Sequence, residues 1–145
     1  MAVMTTAGST FGVTATAPGT YNAAGFNALS FTSVGEVTDM GEVGHEYALV
    51  NHNSIAVRRV QKLKGSYDAG AVTLQFGRDY TDAGQTALTT ALAADTSVSC
   101  RVTLQNGKKL YFTGLVTSFK TNVGQSDQIT AASCVIELTG DVLEV

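Results

Sequence analysis

The chain has 145 residues, of which 44 % are hydrophobic and only 14 % charged, with a formal net charge of −3. That length fits one domain burying roughly 68–70 % of its unfolded surface, a core that needs no staples. Lack of a basic excess argues against general nucleic-acid binding, and no apolar run approaches the ~20 residues of a membrane helix. The charged fraction is well below the ~25 % usual for soluble proteins, which suits a surface covered by other subunits. The alternative is a monomer that keeps its surface wet with Thr, Ser and Asn.

The first charged residue is Glu36, so 35 uncharged residues precede it. Hydrophobic signals among them are sparse: Val3, Phe11, Val13, Tyr21 and Phe26. Residues 1–25 read as an arm that docks on a neighbouring subunit, or else as a frayed terminus followed by an ordinary first strand. Pro18-Gly19 marks a turn. No basic leader followed by an apolar run opens the chain, so no secretory signal is expected. Residues 29–37 read as a strand with Leu29 and Phe31 on one face. Residues 40–57 show neither helical nor strand period, yet hold Val43, Tyr47, Leu49, Val50 and Ile55. A stretch that long and that apolar reads as a protruding loop or ribbon packing on another chain, or as two unresolved short strands.

Residues 60–67 and 72–77 predict a hairpin turning at Asp68-Ala69-Gly70. Val72, Leu74 and Phe76 alternate with Thr73, Gln75 and Gly77, the pattern of a half-buried strand. A helix is predicted over residues 83–94, with Asp82 as N-cap, Gln85 completing a capping box, and a stripe of Leu88, Leu92, Ala87 and Ala91. Residues 98–105 give the clearest strand, and Asn106-Gly107 is a hairpin turn. The return strand, 110–119, is apolar on both faces and calls for a layer on each side. Residues 129–138 supply the last strand. At least six strands and one helix make the fold mainly β, a β-sandwich or partial barrel with one flanking α-helix. The chain has few guards against edge pairing, with one proline and long uncharged stretches, so strand edges could join subunit to subunit.

Chemistry is sparse. His45 and His52 stand seven residues apart, too far for the helical zinc motif that His45-Glu46 begins. Asp79 and Asp82 suit the positive end of the helix and need no catalytic role. Cys100 and Cys134 have no metal-ligand spacing, and each behaves as a small hydrophobe in an alternating strand. Reduced thiols are expected, as in a bacterial cytoplasm. No catalytic residue, metal site or cofactor is expected. Two charge runs remain. Glu36, Asp39, Glu42 and Glu46 are acidic, and Arg58, Arg59, Lys62 and Lys64 place four of the nine cations in seven residues. Charge runs are usually solvated faces; here the expectation is that the two runs pair between subunits and set register.

The chain resembles the major tail tube proteins of siphophages. The likeness is carried by Tyr21-Asn22-Ala23-Ala24-Gly25-Phe26 with Leu29, Phe31 and Val34-Gly35-Glu36-Val37. It continues in residues 59–67 (RVQKLKGSY), then in Val72-Thr73-Leu74-Gln75 with Asp79 and Asp82-Ala83-Gly84-Gln85-Thr86-Ala87-Leu88. It ends in Phe112-Thr113-Gly114, Val123-Gly124 and the last strand. The resemblance implies a fold shared with phage tubes and the type VI secretion tube. It implies hexameric rings whose inner strands form one barrel, stacked through an arm at residues 1–25 and a bridging loop at 40–57. It further implies a place in the virion tail, assembly in the host cytoplasm, tape measure, tail terminator and distal tail proteins as partners, no membrane binding, and DNA passing through the lumen. DNA carries one negative charge per ~1.7 Å of axis, so the lumen wall is expected to be neutral to acidic with short polar side chains. A secretion or contractile-machine tube and a monomeric β-sandwich binding module are the alternatives. Tyr21, Phe26, Tyr47 and Leu49 join the two charge runs as expected subunit contacts.

Overall fold

A computed structural model describes residues 3–145; residues 1 and 2 of the expected arm lie outside it. Its strands are β1 (Thr10–Thr14), β2 (Thr32–Val34), β3 (Val37–Asp39), β4 (Glu46–His52), β5 (Gln61–Asp68), β6 (Ala71–Gly77), β7 (Val98–Thr103), β8 (Lys109–Asn122), β9 (Ala131–Leu138) and β10 (Leu143–Glu144). Helix α1 (Ala23–Asn27) precedes β2, and α2 (Ala83–Ala93) joins β6 to β7. Eight strands make one antiparallel sheet in the order β2-β1-β7-β8-β9-β6-β3, with β10 on β8. Among the described residues β4 and β5 pair only with each other, as a separate two-stranded ribbon.

The sheet is curled, and connectivity shows why. β2 and β3 are its outermost strands, yet only Gly35 and Glu36 lie between them. Seven flat strands would hold their outer members about 29 Å apart. The three steps from Val34 to Val37 reach at most about 11 Å. The outer strands must therefore curve round to face each other, giving the expected partial barrel. Glu36 takes a left-handed φ of 61° at the link, a conformation uncommon outside glycine.

Inward alternation fills the barrel: Val72, Leu74 and Phe76 from β6, Cys100 and Val102 from β7, Phe112 from β8, and Cys134 and Ile136 from β9. Leu88 and Ala91 of α2 close it, and α2 lies against β1, β2 and β8. Leu92, expected in the same stripe, sits on the rim and is exposed. Gly84 lets the helix come this close, because a Cβ there would collide with the Ser33 carbonyl. Asp82 caps the helix as expected, its carboxylate accepting from Gln85 N at 2.9 Å. The reciprocal half of the box does not form. The Gln85 side chain is fully buried at the seam, donating to Gly35 O and Gly77 O and accepting from Arg78 Nη1 and Asp79 N. All four hydrogen bonds of the amide are used, and the amide ties the β2–β3 link to the end of β6.

The two-faced burial expected of residues 110–119 is met only near the start of β8: Leu115 is exposed, and Phe119, beyond the register shift at Val116–Ser118, packs on Phe76 of the same core. Phe112 enters the core, while Tyr111 on the other face stacks under Phe26 of α1 at 5.1 Å and donates to Asn27 Oδ1.

Several expectations are corrected. Residues 1–25 are not an arm throughout: β1 lies between β2 and β7, with Phe11 and Val13 buried. Its alternation was a strand signal, muted by the absence of charge on the outer positions. Residues 29–37 do not run as one strand, because the Gly35-Glu36 turn splits them. The 60–67 and 72–77 segments do not form a hairpin: β5 pairs with β4, and β6 with β9 and β3. Gly70, at φ 72°, instead turns the chain from the ribbon into the sheet. Residues 40–57 are no continuous loop, since β4 lies within them.

Candidate assembly surface

β3 with β6 and β4 with β5 are two halves of one long hairpin, interrupted at residues 40–45 on one leg and 69–70 on the other. The first half joins the barrel. The second leaves it, and every ribbon residue but Gly65 is exposed. Register places Tyr47 opposite Tyr67, Leu49 opposite Lys64 and Asn51 opposite Lys62 on one face, with Val50 opposite Leu63 and His52 opposite Gln61 on the other. Between Tyr47 and Leu49 the register shifts by one residue on β5, a bulge at Gly65-Ser66. Lys64 Nζ then lies 4.8 Å from the Tyr47 ring centroid.

This ribbon lacks what stabilises a small β unit. An isolated two-stranded hairpin is marginal in water, and both outer edges here have no strand partner among the described residues. Its apolar side chains face solvent: Leu49 is 62 % exposed, Leu63 58 %, and Ile55 at the tip is fully exposed. Covering side chains of this kind contributes about 1.5–3 kcal/mol each. Val50, Val57, Val60, Leu63 and Tyr67 belong to the same surface. Val50 and Val57 fall in the 40–57 stretch already expected to pack on another chain; sequence reasoning missed Val60, Leu63 and Tyr67 because it assigned residues 60–67 to a hairpin with 72–77, and the length of the uncapped 40–67 stretch was the available signal.

The charge runs occupy separate places. Arg58 and Arg59 lie at its tip, with Lys62 and Lys64 on one face. Glu36 sits in the seam link, Asp39 ends β3, Glu42 is in the ribbon's approach, and Glu46 opens β4. Seven residues of strand span roughly 23 Å, so the tip cations stand far from the base acids of the same chain. Among the described residues His45 Nε2 and Asp141 Oδ1, 3.7 Å apart, are the sole oppositely chargeable pair within salt-bridge distance, a pair that is ionic only when the imidazole is protonated, and neither run contributes to one. The structure thus brings the acidic residues to the base or the body, Arg58 and Arg59 to the tip, and Lys62 and Lys64 along the ribbon between them, with no ion pair joining the two runs among the described residues. Tyr21, also an expected contact, is partly exposed and packs edge-on against Phe26. Phe26 is corrected: it is wholly buried beneath Tyr21 and on Tyr111, so it serves the chain's own packing.

The ribbon meets the body at Thr139–Val142. Tyr67 donates to Asp141 Oδ1 at 2.9 Å, and that bond and the carboxylate's charge raise the phenol's pKa above its ordinary value. Tyr21 donates to the Asp141 carbonyl, and Val142 N donates to His45 Nε2 at 3.3 Å. On the barrel's outer surface, β6, β9 and β8 present Thr73, Gln75, Ser133, Val135, Glu137 and Thr117, with Lys120 opposite Ser133. The two thiols are buried and free, and burial raises both; Cys134 is pushed up to about 12. No helix is long and apolar enough to cross a membrane among the described residues.

No curated protein matches the chain by sequence. Solved structures match it by fold at low identity. The anti-feeding prophage baseplate superposes with TM-score 0.71 at 9 % identity, over 94 % of this chain and 91 % of that one. The tail of an empty gene transfer agent particle, refined with C6 symmetry, gives 0.66 at 11 %, over 83 % and 90 %. The SPP1 tail tube gives 0.62 at 12 %, over 94 % and 75 %. The profile of the phage tail tube protein family spans residues 1–145, end to end. The chain belongs to the phage tail tube protein family.

Proposed function

We propose that this chain forms hexameric rings that stack into the tail tube of a virion and conduct DNA during ejection. The observation that carries the reading is the ribbon: apolar, open at both edges, basic at its tip, and standing away from its own body. A copy of the same chain supplies what it lacks, namely strand edges and the acids at the ribbon base. The six-fold symmetry named for the gene transfer agent tail and the anti-feeding prophage baseplate supports the ring. Residues 3–9, which lie outside the sheet, serve with the ribbon as bridges to neighbours. The lumen wall is the outer face of β3, β6, β9 and β8, where Thr73 and Ser133 are short and polar, Gln75 is polar and uncharged, and Asp39 and Glu137 outnumber Lys120. Such a wall does not hold a polyanion. Assembly takes place in the host cytoplasm, with tape measure, terminator and distal tail proteins as partners.

Negative-stain microscopy of the purified protein tests this. Wild type is expected to give rings or tubes, and the Arg58→Glu/Arg59→Glu double variant a folded monomer. Normal polymers from the double variant would remove the charge pairing. Small separate particles from wild type at high concentration would remove the tube. The tube of a contractile injection machine is the second reading, distinguished by a surrounding sheath and a protein cargo.

A further inference from the structure

β10 continues β9 along β8, but not in step. Leu138 pairs with Gly114 and Leu143 with Tyr111, so five steps on one strand match three on the other. The two extra residues push Thr139–Val142 outward as a bulge, a device that re-aims side chains. What it aims is Asp141. Its carboxylate accepts from Tyr67 at the end of the ribbon, and its carbonyl accepts from Tyr21 ahead of α1. His45, on the other leg of the ribbon, accepts from Val142 N and packs edge-on against Tyr67 at 5.5 Å. Gly140 is fitted to this arrangement, since a Cβ there would lie 2.5 Å from Tyr21 Oη. Both legs of the ribbon are thus gripped at one point, by groups from three distant parts of the chain. Among the described residues the ribbon is otherwise joined to the body through its two connections to β3 and β6.

We infer that the Thr139–Val142 bulge is a latch that fixes the angle of the ribbon to the barrel before any neighbour is engaged. A ribbon joined to the body only by the kinked 40–45 and 69–70 segments samples many directions. Holding it in one direction removes the ordering cost that docking would otherwise carry. The holding groups are hydrogen-bond acceptors, the Asp141 carboxylate for Tyr67 and His45 Nε2 for Val142. The titratable groups around them are Glu46 and Asp68, paired across the ribbon at its base, and His45 itself, whose Nε2 lies 3.7 Å from Asp141 Oδ1 and is neutral while it accepts from Val142 N; among the described residues no Lys or Arg forms an ion pair at the bulge.

The latch acts in the monomer, so its test does not depend on tube formation. Spin labels are placed on cysteines introduced at Ala56, in the tip, and Thr90, on α2; the buried Cys100 and Cys134 stay unlabelled. Wild type is expected to give one narrow distance distribution at concentrations below assembly. Tyr67→Phe is expected to broaden it at least twofold and Asp141→Ala further, while Asp141→Asn, which keeps an acceptor, stays close to wild type. Thermal melting checks that each variant is folded. Equal widths in wild type, Tyr67→Phe and Asp141→Ala would overturn the inference. So would an Asp141→Asn variant as loose as Asp141→Ala, because charge and not the acceptor would then hold the ribbon.

Discussion

The barrel and the ribbon are built from the same hairpin, yet they obey different rules. In the barrel half, β6 has a partner on each side and sends Val72, Leu74 and Phe76 into a closed core. In the ribbon half, β5 has one partner, and Leu63 and Tyr67 face water. The first buries its apolar residues within the chain; the second, under the proposed function, gains stability from the neighbour that covers it. A substitution therefore reports on folding in one half and on association in the other.

The sharpest contrast is Phe76→Ala against Leu63→Ala. Phe76→Ala is expected to cost about 3–5 kcal/mol of unfolding free energy in urea, the range of a truncated buried aromatic. Leu63→Ala is expected to change monomer stability by less than about 0.5 kcal/mol and to raise the concentration at which polymers appear. Equal effects on folding would erase the distinction between the halves. Next comes the seam. Gln85→Leu leaves Gly35 O and Gly77 O without their donor, and the expected loss is about 2–3 kcal/mol for two buried orphan carbonyls. A smaller effect is expected from Asp82→Ala, which removes the N-cap of α2 and about 1 kcal/mol, read from the same denaturation curves. The smallest concerns pH. Asp79 is held below its ordinary 3.8 by hydrogen bonds from the Thr81 hydroxyl and amide. Its folded pKa is lowered, so its contribution is complete above the unfolded value and fades as pH falls through the folded one. Asp79→Asn is expected to flatten that acid limb slightly, and an unchanged limb would assign it to other carboxylates.

Much of the barrel was legible because its cues are local. Apolar and polar residues alternate along residues 72–77 and 98–103, although Ser99 is buried with its neighbours, and Asn106-Gly107 makes the turn expected of it, with Gly107 at φ 87°. Asp82 caps α2 because the cap and its target lie three residues apart. The ribbon was not legible in the same way. Its apolar residues satisfy no core, so the period-2 pattern of residues 60–67 pointed to the wrong partner, and the choice of β4 over β6 depends on Gly70 turning rather than reversing the chain. Phe26 was misplaced for a related reason: its stacking partner, Tyr111, is 85 positions away. Gln85 was recognised as a helix-start residue, but its four actual bonds join segments that only the closed barrel brings together. The basic tip and acidic base were visible as runs. Their separation along the ribbon required the pairing of β4 with β5.

The rooting of the ribbon in β6 has a mechanical consequence. Tension applied at the tip enters the body at Ala71, the first residue of a strand matched to β9 over seven consecutive residue pairs. Drawn lengthwise, such a strand yields by shear, with its cross-strand bonds loaded together, and not by unzipping one bond after another. A filament linked through these ribbons would resist stretching through the stiffest direction of each subunit's sheet.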